Sequence, residues 1–328
     1  MYRLCSHITI GKTEFNFVCD VAIKESIETL TDTCIIKLPK KLKWNDSEIF
    51  FGPKALIRRR DKVEVRLGYN DELHLVFKGY VRSIHRKIPV EIECEDEMYR
   101  LKWPENIIDK KVFSSVTLTD LLSYVLPPGI NYTCAQMNLG RYVIKDNVEP
   151  VKVLEQLADK SSYGLSVYFQ LINNEPMLFV GLPHLHFSEQ RKVHKFRFQY
   201  NIIQDNLTYT EKEDRKIKIK AISIMPNNLR HEVEVGPTDG GLRTFNYYNI
   251  DKASLKKQAD EMLSELQIDG YDGTLTAFGL PFVLKADAVK LYDDRFVNTE
   301  EVYSVKAVNR TFGTGGYRQQ ITIDRRIS

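Results

Sequence analysis

The stretch FGTGGYRQQITID, Phe312 to Asp324, sets three glycines in four positions just ahead of an arginine. Turns of this composition can cradle a phosphate, because a backbone without side chains lets several N–H groups converge on one anion. A dinucleotide fingerprint would need glycine where Arg318 stands and a helix after it, yet strand-like alternation follows. The same residues suit the tip of a β-hairpin. SHITIGKT offers Gly11, Lys12 and Thr13 in the order of a Walker loop, but Ser6 occupies the place of its leading glycine. There too HITI alternates like a strand, and a hairpin turn at Gly11 and Lys12 is the reading that agrees with its flanks.

Other residue types capable of chemistry are scattered. His184 and His186 would project to one side of an extended chain with His194 nearby, but no cysteine, aspartate or glutamate stands where it would complete a tetrahedral metal site. Carboxylates crowd ECEDE and LYDD, yet an acid and base pair needs unlike environments converging in one cleft. Neither a G-x-S-x-G elbow nor an H-E-x-x-H pair occurs. RRRD, from Arg58 to Asp61, and RKIKIKA, which puts Lys216, Lys218 and Lys220 on one strand face, could meet phosphates; neither carries the interleaved aromatics that stack on bases. No catalytic, cofactor-binding or metal-binding residue is therefore assigned, and no specific nucleic-acid binding is expected.

The elements that would position these residues are mostly strands. In 328 residues, 47 lysines and arginines against 44 acids leave a net charge of +3, too small for a strong overall field. The five cysteines form no C-x-x-C pair and suit a reducing compartment. No apolar run is long enough for a membrane span, so no membrane anchor is expected. Residues 1–101 alternate with period two in HITI, FNFVCDVAI, TDTCIIKLP, DKVEVRLGY, HLVFKGYVRSIHR and PVEIECED. Residues 102–190 bring helices in TLTDLLSYV and EPVKVLEQLA, then two strands around an Asn-Asn turn. Residues 191–328 return to strands, with one helix over about 251–267 capped by Asp251. The fold class expected is α+β and mainly β: two tube-like antiparallel β-barrel domains around a smaller α/β middle domain.

The two strand regions echo each other. DKVEV, YVRSIHR and VEIECED recur as DAVKL, YSVKAVNR and QQITIDR; Asp61 to Ile84 spans 23 positions and Asp287 to Val308 spans 21. Ile84 and Arg86 match Val308 and Arg310, and a duplication is the expectation. A long connection holding Leu42, Trp44, Ile49, Phe50 and Phe51 interrupts the first region and reads as a contact surface or as a cover over its own barrel.

The order AIKESIETLTDTCIIKLPKK, DKVEVRLGY, VFKGYVRSI, YGLSVYFQLINNEPMLFVGLP, then GTLTAFGLPFVLKADAVKLYDD and EVYSVKAVNRTFGTGGYRQQITI resembles the phage late control protein D family over most of the chain. That family comprises baseplate hub proteins of contractile tails and is similar to the hub portion of type VI secretion spike proteins. The resemblance implies a homotrimeric ring without catalysis, joining a hexameric tail tube protein to a spike. With the chain ending at Ser328, the spike is expected as a separate polypeptide, alongside other baseplate proteins. It implies a place in a virion tail or injection-machine baseplate, assembled in the bacterial cytoplasm. Arg60 and Ala286 depart from it, standing where a glycine often precedes the aspartate of the barrel strand. Leu42, Trp44, Ile49, Phe50, Phe51, Tyr317 and Arg318 are the interface candidates. A tail-associated cell-wall hydrolase and a nucleic-acid-binding protein are the rival readings.

Overall fold

The computed structural model describes residues 3–39, 55–160, 162–182, 192–225, 227, 229–292 and 301–327, with the backbone alone at 43–44 and 47–48. Alternation becomes strand through the N-terminal part: β1 (Leu4–Ile10), β2 (Thr13–Phe15), β3 (Asp20–Ser26), β4 (Thr33–Leu38), the short pair β5 (Lys43–Trp44) and β6 (Ser47–Glu48), β7 (Lys62–Tyr69), β8 (Glu72–His85) and β9 (Val90–Glu95). Leaving aside β5 and β6, these align in the order β3-β4-β9-β8-β7-β1-β2. Every second residue faces one core, where Ile8, Ile10, Ile36, Val63, Val65 and Ile92 are fully buried. Gly11 adopts φ +61° in the β1–β2 turn, which confirms a hairpin there.

The middle part holds β10 (Lys111–Thr117), α1 (Leu118–Val125), β11 (Asn131–Cys134), β12 (Asn138–Ile144), α2 (Pro150–Ala158), β13 (Ser166–Ile172) and β14 (Glu175–Gly181). Thr117 caps α1 by accepting from the Asp120 N–H at 3.1 Å, and Pro150 opens α2, where its missing N–H costs no hydrogen bond. Asn173 and Asn174, both at positive φ, turn β13 into β14.

The last part begins with β15 (Val193–Arg197) and β16 (Ile202–Thr210). Then β17 (Ile217–Ile224), β18 (Arg230–Val235) and β19 (Gly241–Tyr248) form a separate sheet covered by α3 (Lys252–Leu266). Asp251 caps α3 as expected, accepting from Ala253 and Ser254 N–H groups at 2.9 and 3.1 Å. β18 and β19 were not foreseen, and this sheet with its helix has a core of its own. It also packs on the middle part, whose core takes in Ile222 and Ile224. β20 (Gly270–Phe278), β21 (Ala288–Tyr292), β22 (Glu301–Gly313) and β23 (Gly316–Arg326) complete the second strand unit in the order β16-β20-β23-β22-β21-β15. The molecule is thus mainly β with three α-helices among the described residues.

Hydrogen bonding shows how closely the two strand units repeat. Arg60 N–H donates to Val81 O at 2.8 Å and Val81 N–H returns to Asp61 O at 2.9 Å; Ala286 donates to Val305 O at 2.8 Å and Val305 returns to Asp287 O at 2.9 Å. The Asp61 carboxylate accepts from Arg58 N–H at 2.7 Å, that of Asp287 from Leu284 N–H at 2.9 Å. Arg60 and Ala286 lie at φ +73° and +65°, so both take the left-handed conformation a glycine would adopt, although for other residues it costs about 1–2 kcal/mol. Just beyond, β8 and β22 carry a register shift at the same place, between Val81 and Ser83 and between Val305 and Ala307. The extra residue lets each long strand bend, pairing β7 or β21 with its first half and β9 or β23 with its second.

Because each aspartate carboxylate closes the turn that leads into its strand, Asp61→Ala should cost about 0.5–1.5 kcal/mol in urea unfolding. Asp287→Ala should cost more, about 1–3 kcal/mol, because that carboxylate is 5% exposed and also bonds His194 at 2.8 Å.

Candidate functional site

Strand edges are the chemistry this fold presents. The second half of β22 bonds β23 on one side and, on the other, β3 of the first strand unit, in seven register pairs from Ala307↔Ser26 to Gly313↔Asp20. That joint makes one continuous sheet of the two units. Charges are buried along it. Arg310 forms an ion pair with Glu25 on β3, donates to Val283 O, and lies over the Phe282 ring at 4.9 Å. Burial pulls its pKa down to about 10, which leaves it a cation at neutral pH. One strand further, Lys285 Nζ, 1% exposed as a residue, sits 2.5 Å from Asp32 Oδ2 and 3.3 Å from Ser26 O, with the Tyr168 ring 5.3 Å away. Asp32 N–H in turn donates to Asp96 Oδ2 at 3.2 Å, and Gln170 Nε2 donates to Lys285 O at 2.8 Å. Both strand units and the middle part therefore meet at one lysine.

Repetition makes the unpaired edges informative. Val81 pairs with Cys94, and Val305 with Ile323, so Ile84 corresponds to Val308 and Arg86 to Arg310. Cys34 pairs with Cys94 and Gly273 with Ile323, so Ile23 of β3, opposite Cys34, corresponds to Leu207 of β16, opposite Gly273. Within the chain, β22 meets β3. Its counterpart, the second half of β8, pairs only with β9 among the described residues, and β16, the counterpart of β3, pairs only with β20. Ile203 and Tyr209 on β16 are 44% and 46% exposed, and Ile88 just past β8 is 80% exposed. A strand of nine residues with exposed apolar side chains and one edge unpaired among the described residues is a ready template for another strand.

The residues singled out from sequence divide. Leu42, Ile49, Phe50 and Phe51 lie outside the described residues; the backbone of Trp44 pairs with Ser47 in the short β5–β6 hairpin. FGTGGYR is a hairpin, with Gly313 opposite Gly316 and Thr314-Gly315 as its tip. Tyr317 is corrected from an interface candidate to a core residue. It is 1% exposed, with its ring 5.7 Å from those of both Tyr69 and Phe312, because parity puts it on the same strand face as buried Gln319, Ile321 and Ile323. A β-carbon on Gly279 would stand 2.0 Å from that ring, so the glycine makes its room. Arg318, on the opposite face, remains partly exposed over the Phe278 ring at 4.9 Å.

His184 and His186 also lie outside the described residues, while His194 is held by Asp287. Lys216, Lys218 and Lys220 do share a face, each paired with an acid: Asp239 at 2.5 Å, Glu234 at 2.6 Å and Glu232 at 2.7 Å. In ECEDE, Glu95 takes Lys102 and Arg82, and Asp96 caps the 3-10 turn that follows by accepting from Met98 N–H at 3.1 Å. Arg59 donates to Tyr99 Oη at 2.7 Å, and Arg60 pairs with Glu105. His85, Glu91 and Glu93 approach one another, but Ser83 at 2.6 Å and His85 at 3.1 Å satisfy Glu93, while Lys87 holds Glu91. The buried residues of the joint, Glu25, Asp32, Asp96 and Lys285, were not found from sequence; a charge in an alternating strand reads as an outward face unless its partner is known.

No protein-family model matches the chain, and no curated protein matches it in sequence. Solved structures do match in fold. A 43 kDa tail protein of a Shewanella oneidensis prophage covers 98% of this chain and 98% of its own, with 16% identity and a TM-score of 0.62. A tail protein from Neisseria meningitidis covers 98% and 96%, with 15% identity and a TM-score of 0.62. The E. coli c3393 protein, a type VI secretion component described as similar to T4 bacteriophage tail proteins, covers 97% and 76%, with 8% identity and a TM-score of 0.57. The fold is that of these phage tail proteins and of the type VI secretion component.

Removing Lys285 would leave Asp32 buried and unpaired, so Lys285→Met should cost about 3–5 kcal/mol in urea unfolding at pH 7. Burial, and then the nearby Asp32 charge, hold the Asp96 carboxyl well above the ordinary aspartate range. The protonated form is thus favoured in the fold, and this contribution, complete in acid, is lost as pH rises from about 4 through the raised value. Asp96→Asn, which cannot ionise, should flatten the decline in stability as pH rises above about 4.

Proposed function

We propose that this chain is a structural hub of a phage tail or phage-like injection machine, acting as a ring of three copies that joins a hexameric tail tube to a central spike. One observation carries the reading. Two repeated strand units are joined through one edge pairing, and the matching pair of edges, the outer side of β16 and the second half of β8 beyond its pairing with β7, has no partner strand among the described residues. Edges that are unlike cannot satisfy each other about a twofold axis; they associate head to tail, giving a ring where the rotation closes. Three copies then contribute six similar strand units, the number a hexameric tube presents. The likeness in fold to tail proteins and to a type VI secretion component supports this use of the edges.

In this reading Ile84 of one copy faces Tyr209 of the next, as Val308 faces Glu25 within the chain, and Arg86 faces Leu207, as Arg310 faces Ile23. The loop residues Leu42, Trp44, Ile49, Phe50 and Phe51, with Arg318 on its exposed face, contact a neighbouring subunit or the tube. No step of this function requires bond making.

Register gives a direct test. In a chain whose exposed Cys19 and half-buried Cys5 are replaced by serine, Ile84→Cys with Tyr209→Cys should yield covalent trimers on mild oxidation, read on a non-reducing gel. The off-register pair Ile84→Cys with Leu207→Cys should not, and equal cross-linking by both pairs, or by neither, would sink the proposed seam. Trp44→Ser with Phe51→Ser should weaken ring formation or tube binding in sedimentation and electron microscopy; unchanged assembly would remove the loop from the interface.

A further inference from the structure

Behind the joint lies a cleft of about 450 Å³ that the edge pairing leaves unused. The β3–β4 turn, the segment from α2 into β13, β19, and the ends of β22 and β23 all border it. Its floor is apolar, with Leu165, Val167 and Leu266 each less than a tenth exposed. Its rim is cationic. Lys160, Arg243, Lys306 and Arg325 stand against only Glu28 and Asp324, and Lys306 already holds Glu28 at 2.9 Å. Lys160 and Arg243 are exposed and have no ion-pair partner among the described residues. A smaller depression of about 140 Å³ continues from it and shares Arg243. The size falls within the range of about 300–1,000 Å³ typical of ligand sites.

Two strand edges meet this cleft. β19 is the outer strand of the β18-β17-β19 sheet and β13 the outer strand of the β11-β14-β13 sheet, so each offers one side of its backbone unpaired by another strand among the described residues. Gly241 to Thr244, on β19, are all exposed. Backbone donors and acceptors in a row are what an extended peptide satisfies, and neither a small anion nor a nucleic acid can match them along the strand. We propose that the cleft receives an extended acidic peptide segment of a partner protein, added as a strand beside β19. An aliphatic side chain of that segment rests on Leu165, Val167 and Leu266, and its carboxylates meet Lys160 and Arg243. Residues of one chain build the whole site, so it occurs once per copy and does not depend on ring formation.

The test uses the full chain and a fluorescein-labelled peptide, Glu-Asp-Leu-Glu-Ile-Asp, followed by anisotropy, with oligomeric state measured on the same samples by light scattering. The expected result is saturable binding that weakens with added salt. Lys160→Glu with Arg243→Glu should weaken it at least about tenfold. Losses of similar size should follow when glycine replaces the peptide's leucine and isoleucine, or when alternate backbone nitrogens are methylated. Those two arms read the wild-type chain and stand even if the double variant fails to fold. Absence of binding, equal binding by a folded double variant, equal binding of the methylated peptide, or full competition by an oligodeoxynucleotide of equal charge would overturn the proposal.

Discussion

Everything in this molecule turns on one strand serving two repeated units of a single sheet. The second half of β22 satisfies β23 of its own unit and β3 of the other, so the backbone groups that would have been an open edge become the weld between two repeats. Hydrogen bonds alone would let such a weld slide by two residues, since the alternation repeats with that period. Buried ions remove the freedom. Arg310 must find Glu25 and Lys285 must find Asp32, and a slipped register would leave charges desolvated without partners. The apolar pattern makes the sheet, and the ionic pairs choose its register.

Repetition explains much of what looks arbitrary in the local chemistry. Ala286 and Arg60 occupy the left-handed region because each precedes an aspartate whose carboxylate closes the turn and whose carbonyl accepts from a barrel strand. Several hydrogen bonds hold each turn and offset a local backbone cost. The bulges in β8 and β22 follow from the same plan, because a long strand that must join two differently oriented partners needs one residue more than either.

How much of this could be read from the letters depended on the range of the interaction involved. Alternation exposed the strands, the Asn173-Asn174 turn and the Asp251 cap, since these signals reside in neighbouring residues. The matched spacing of Asp61 to Ile84 and Asp287 to Val308 anticipated the repeat. Arg60 and Ala286 concealed their conformation, because the tertiary bonds that impose it are remote in sequence. Tyr317 was misplaced through its nearness to a hairpin tip, although its parity with Ile321 and Ile323 marked it as interior. Lys285, Asp32 and Asp96 were invisible for the opposite reason: their partners are 253 and 64 positions away, and nothing local distinguishes a buried charge from a wet one. Strand β17 showed in RKIKIKA, but β18 and β19 were missed: RHEVEV alternates with only Val233 and Val235 as apolar letters, and GLRTFNYY keeps no regular alternation.

The geometry of the weld also sets how it bears load. In an antiparallel ladder the hydrogen bonds run across the strands, so a pull along β3 and β22 strains all the pairs from Ala307↔Ser26 to Gly313↔Asp20 together, in shear. A pull at right angles would open them one after another, like a zip. Buried at the joint, Arg310 and Glu25 act as a dowel across the shear plane. The joint is therefore stiff along the strand axis and weak across it, a directional toughness that comes from the orientation of the bonds rather than from their number.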